Sequence, residues 1–198
     1  MPYSKFTFES ALQQFDLTLI EELGRFDDLP AVAPSPLLAE TLEDNIPLAV
    51  AIATEKARSE LIVSPILVAI RKHLHNQISL FSGVDFNVDP ELGLSGFCDF
   101  IISRSSLQTI VQAPVLALVA AKNDNIKSGF GRCLAAMVAA QIFNQAQGNF
   151  IPKVYGAITT GTLWQFLELE ARTVVLDLEE YSLKNLPKLL GILVVFAS

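Results

Sequence analysis

At 198 residues the chain fits one compact domain of ordinary size. A hydrophobic content of 51% with dispersed charge excludes a disordered polymer, and a net charge of -7 repels polyanions, so nucleic-acid binding requires a local basic patch or bound cations. The opening residues lack the apolar run of a signal peptide and "LLGILVVFAS" is too short to cross a bilayer, which points to a cytoplasmic protein with no membrane partner.

In chain order, "TFESALQQFDLTLIEEL" opens on a threonine and a glutamate read as a capping box, and its apolar spacing predicts a helix from Phe8 to Glu21. "LPAVAPSPL" is a proline-punctuated connection. The helical period resumes in "LLAETLEDN" and, after Pro47, in "LAVAIATEKARSELIVSPILVAIRKHL", where Pro65 marks a kink or a restart. His73 and His75 lie two apart, point to different faces of a helix and form no metal pair.

From Gln77 the pattern alternates. "QISLFSGVDFNV" and "LSGFCDFIIS" predict a hairpin turned by "DPELG", and "APVLALVAAKND" predicts a third strand. A long Ala-rich helix follows in "IKSGFGRCLAAMVAAQIFNQAQ", with "GFG" at Gly129 to Gly131 as its starting turn. Three more strands come from "KVYGAITTG", "LWQFLELEA" and "TVVLDLEE", with Thr159 to Thr162 as a hairpin turn and a closing helix near Ser182. The order predicts an α/β single domain with a mixed central sheet flanked by helices. Cys98 and Cys133 have no metal or disulfide spacing and read as buried spectators.

Chemistry concentrates around the third strand. Side chains alternate along a strand, so Ala120 and Lys122 project to one face. On the preceding strand, Asp99 sits between "GFC" and "FII", where burial is costly unless a cation, a lysine or backbone donors meet the carboxylate.

A helix carrying Glu60, a hairpin whose second strand carries Asp99, a strand ending in Lys122 and then a helix resemble the restriction-endonuclease-like, or PD-(D/E)XK, nuclease superfamily. The phrase "AAKNDNIKSGFGRCLAAMVAAQIFN" is similar to small cyanobacterial members of that superfamily. The resemblance spans Thr54 to Asn144. It implies a restriction-endonuclease-like core at 54–198 with a C-terminal elaboration, and a helical N-terminal extension at 1–53.

By that resemblance, Asp99 matches the first acid, Lys122 the lysine, Glu60 an assisting helical glutamate and Gln141 a site-facing glutamine. Ala120 stands where the second strand acid belongs, and a methyl group ligates nothing. Such sites hold Mg²⁺ on carboxylates to activate water. Here Asp99 would need a displaced acid, Asp124 or Asp85. Each residue also has a plainer reading: Asp99 as a satisfied structural acid, Lys122 as a solvated strand end, and Glu60 and Gln141 as surface positions. The expectation is a degenerate site, non-catalytic or weakly active, in a domain kept for binding a protein partner or nucleic acid. The alternative is a Mg²⁺-dependent DNA endonuclease. A homodimer is also expected, because "TVVLDL" and "LLGILVVF" exceed what a small domain easily covers.

Overall fold

In the computed structural model, which describes residues 2–198, the first helix starts where expected and stops early. Helix α1 (Phe8–Gln14) ends at Gln14 rather than at Glu21. Its cap is reciprocal, with Thr7 Oγ1 accepting from Ser10 N–H at 3.1 Å and Ser10 Oγ accepting from Thr7 N–H at 3.0 Å, so a serine closes the box in place of a glutamate. Asp16 adopts a left-handed φ of 49°, and the chain continues as strand β1 (Thr18–Glu22). Leu17 and Leu19 fit either period, but Thr18 and Ile20 are β-branched and β7 (Thr173–Asp177) supplies a parallel partner. The expected helical extension over 1–53 therefore contributes an edge strand to the main sheet.

Helix α2 (Pro36–Ile52) passes through Pro47 without a break and ends at Ala53, whose φ is 55°. Thr54 then caps α3 (Glu55–Arg58) by accepting from Ala57 N–H at 3.1 Å. A π-helical turn at Ser59–Val63 leads into α4 (Ser64–His73), with Pro65 in the first turn. The backbone stays helical from Glu55 to His73, with Val63 and Ser64 in right-handed helical conformation and the Ser64 N–H donating to the Ser59 carbonyl, so Pro65 follows a π-helical irregularity within one continuous helix rather than opening a new one.

Strands β2 (Ser79–Asp85), β3 (Phe97–Ser103) and β4 (Val115–Ala121) form an antiparallel meander. A 3-10 turn at Ile126–Gly129 starts α5 (Phe130–Ala146), which crosses back to β5 (Lys153–Thr159), parallel to β4. Strand β6 (Leu163–Glu170) returns antiparallel after the Thr159–Thr162 turn and pairs with β7 and the short β8 (Tyr181–Ser182). The sheet is mixed and eight-stranded, in the order β1-β7-β6-β5-β4-β3-β2, with β8 beside β6. Helix α6 (Leu186–Phe196) closes the fold.

Helices α1 and α5 cover one face of the sheet, while α2, α4 and α6 cover the other. Strand β4 is buried along its whole length, as befits a strand covered on both faces: Leu118 and Ala120 pack toward α5, and Ala117 and Val119 toward the opposite layer. Gly131 of α5 permits a close crossing, since a Cβ there would lie 2.3 Å from the Phe6 carbonyl oxygen. The apolar stretches behind the expected homodimer are spent inside the chain. Val174–Asp177 and, on α6, Leu189, Leu190, Ile192, Leu193 and Phe196 are all buried. Among the described residues no helix is long and apolar enough to cross a membrane.

Candidate functional site

The register brings Asp99 and Ala120 to neighbouring positions, because Phe100 pairs with Val119 one step further along β3 and β4. Both face the α5 layer. Neither oxygen of Asp99 is free: Oδ1 accepts from Arg132 Nη2 at 2.9 Å and Oδ2 accepts from the Ala121 N–H at 3.0 Å. Arg132 also donates to the Phe97 carbonyl at 2.8 Å. The two side chains are only about a fifth exposed, at 22% for Arg132 and 21% for Asp99. In this setting the ion pair is partly shielded from solvent.

Around the pair the walls are apolar. Cys98, Phe100, Leu118, Ala120, Cys133 and Ala136 line a small concavity of about 10 Å³ beside it. Burial pushes both thiols up to about 12, so Cys98 and Cys133 are neutral, weakly reactive groups, in line with their reading as spectators.

Lys122 follows the end of β4, where its N–H donates to the Thr159 carbonyl at 2.7 Å. Its stem lies against Gly129: a Cβ at that glycine would fall 3.3 Å from Lys122 Cγ and Cε and 2.7 Å from Ile158 Cγ2. The "GFG" turn thus clears a path for the lysine. The ammonium group is 15% exposed on its side chain and pairs with Glu55 at 3.6 Å. Among the described residues it makes no ion pair with Asp99.

The remaining candidates are dispersed. Glu60 lies in the π-helical turn, is 64% exposed on its side chain and pairs with Lys56 at 3.5 Å. Gln141 is nine residues beyond Arg132 on α5, about 13 Å along the axis. It lines a separate cavity with Asn144, Gln145 and Phe150. Asp124 accepts from Asn123 Nδ2 at 2.9 Å and borders a third cavity beyond the ends of β4 and β5. Asp85 is exposed and opposite Phe97 on the β2 edge. Asp99 and Asp124 therefore belong to different surroundings.

These residues do not fit a carboxylate-held Mg²⁺. A hard cation needs several oxygen ligands. Asp99 has both oxygens engaged, and no second carboxylate adjoins it. Among the described residues there is no group of three or more His, Cys, Asp or Glu side chains suited to a metal.

Arg132, Glu55 and Arg58 were not anticipated. Arg132 carried one signal: a cation in the first turn of a helix opposes the helix dipole and calls for a specific acid partner. Glu55 and Arg58 lie in the first turn of the helical stretch that continues through the π-helical turn into α4, and spacing along that helix does not show which distant residues they meet. No family model matches the chain, and no curated protein matches it.

Proposed function

We propose that the chain is a restriction-endonuclease-like domain without hydrolytic activity, retained for binding a protein partner. One observation carries the reading: Arg132 lies on Asp99 where a catalytic cation would be needed, beside a methyl group at Ala120. The succession of α4, the β2–β3 hairpin, β4 and α5 supports the restriction-endonuclease-like part, being the order on which the resemblance rests. The guanidinium supplies the positive charge that an acid in this strand requires, but it offers no open coordination position and generates no hydroxide nucleophile. Lys122, turned to Glu55, orients nothing at Asp99.

A protein partner is favoured over nucleic acid by the net charge of -7 and by exposed apolar side chains on α2, including Leu48 and Ile52 one turn apart. The test is incubation of purified protein with supercoiled plasmid and with single-stranded DNA, in Mg²⁺ and in Mn²⁺. The expected result is no cutting above a metal-free control. Cutting that requires the metal and disappears in Lys122→Ala would instead establish the Mg²⁺-dependent endonuclease.

A further inference from the structure

The eight-stranded sheet has two ends, and the chain treats them differently. At the β2 end the edge is blocked. Gln108, on the β3–β4 connection, donates from Nε2 to the Leu80 carbonyl at 2.6 Å and accepts from the Leu80 N–H at 3.2 Å, as a peptide group of an adjoining strand would. Gly83, with a φ of 62°, then breaks the extended backbone of the same strand. Both are devices that keep a sheet edge from pairing with another chain.

At the other end β1 carries neither. Thr18 N–H donates to the Arg172 carbonyl at 2.8 Å and the Glu22 carbonyl accepts from Leu178 N–H at 2.7 Å, so the peptide groups of Thr18, Ile20 and Glu22 turn toward β7. Leu19 and Glu21, between them, present N–H and C=O outward. No strand follows on that side, and these groups have no partner among the described residues. No proline, glycine or lysine interrupts Thr18–Glu22. Ile20 is 42% exposed, and Leu23, just past the strand, is 73% exposed.

The open groups are self-complementary. Laid antiparallel about a two-fold axis at Ile20, two copies of β1 set Leu19 opposite the partner's Glu21 and Glu21 opposite the partner's Leu19, so each outward N–H meets an outward carbonyl. Ile20 then faces its own copy as a non-hydrogen-bonded pair, with Cα atoms about 4.5 Å apart, and the two isoleucines cover one another. The charges agree with this register. Glu21 and Glu22 fall opposite the partner's Leu19 and the partner's Thr18, so no acid directly opposes an acid. The ion pair at that end, between the partner's Asp16 and the partner's Arg172, is neutral overall. Sliding the strands by two residues would instead set Glu21 directly against its own copy. We infer that the chain forms a homodimer by joining β1 to β1 of a second copy, which makes one continuous sheet through both subunits. The contact lies away from Asp99 and does not depend on how that site is read.

Sedimentation of the full chain at tens of micromolar provides the test, and the wild type sediments as twice the 21.6 kDa chain. Glu21→Pro removes one outward donor from each strand, spares the bonds to β7 because that N–H faces away from it, and weakens dimerisation about tenfold or more. A disulfide reads the register even should that variant fail to fold. Ile20→Cys sets two thiols at a spacing that a disulfide accepts, whereas Thr18→Cys lies more than about 13 Å from its own copy. The native Cys98 and Cys133 are buried and do not compete. Mild oxidation therefore links Ile20→Cys into a covalent dimer and leaves Thr18→Cys unlinked. The inference is overturned if the wild type stays monomeric, if a folded Glu21→Pro dimerises as well as the wild type, or if Ile20→Cys links no more readily than Thr18→Cys.

Discussion

At Asp99 a carboxylate enters an apolar strand, and its burial is tolerable because a guanidinium and a peptide N–H share its two oxygens. Removing one partner leaves the other charge poorly compensated. Arg132→Ala should therefore destabilise the fold by about 1–2 kcal/mol, toward the lower end for a charged hydrogen bond because the pair retains some solvent contact. Denaturant unfolding of Arg132→Ala, Asp99→Asn and the double variant should give a coupling of at least about 0.5 kcal/mol. Strictly additive effects would mean that the contact contributes nothing.

The buried thiols make a pH prediction at the same scale. Cys98 and Cys133 rise from an ordinary value of 9.0 to about 12, first through desolvation. Between those values the unfolded chain releases thiol protons that the folded chain keeps. The unfolded state then binds fewer protons, so stability falls as pH rises from about 9 toward 12, by up to roughly 1.4 kcal/mol per pH unit for each thiol. Stability measured across that range should fall less steeply in Cys98→Ala/Cys133→Ala. An unchanged slope would mean that the thiols titrate alike in both states.

Among the elements, α5 is held to the sheet near both ends. Arg132 binds β3 through Asp99 and the Phe97 carbonyl, and Asn144 accepts from Val115 N–H at 2.7 Å and donates to the Val115 carbonyl at 2.9 Å on β4. The polar contacts at Asp99 thus have a structural use that needs no substrate. Helix α6 shows a different constraint, since a Cβ at Gly191 would lie 1.9 Å from the Pro30 carbonyl oxygen. In an ordinary helix Gly→Ala stabilises by up to about 1 kcal/mol. Here Gly191→Ala should destabilise by roughly 1–3 kcal/mol in an unfolding titration, because the backbone of the 30–31 connection must move. A stabilised variant would contradict this close packing.

The same elements show what the sequence disclosed. The β2–β3 hairpin, β4 and α5 were legible because period, turn residues and length agreed for each. Strand β1 was not, since Leu17 and Leu19 satisfy both periods and its partner β7 lies some 150 residues away in sequence, beyond any local window. At the candidate site, alternation gave only the shared direction of Ala120 and Lys122, and Asp99 was set beside them by the resemblance rather than by spacing. Their partners followed from neither. Arg132 reaches Asp99 and Lys122 turns to Glu55 only through the crossing of helices over the sheet, which spacing along the chain does not encode.

For the whole molecule, the proposed preference for a protein partner over nucleic acid rests on the charge of -7 and on the apolar side chains exposed on α2. The stretches that suggested a homodimer are internal, so any self-association must use other surfaces. The central proposal, that Asp99 is served by the Arg132 guanidinium and holds no metal, is tested most directly by calorimetric titration of the wild-type chain with Mn²⁺. The account predicts no saturable binding that depends on Asp99. A stoichiometric Mn²⁺ site in the wild type that vanishes in Asp99→Ala would contradict it.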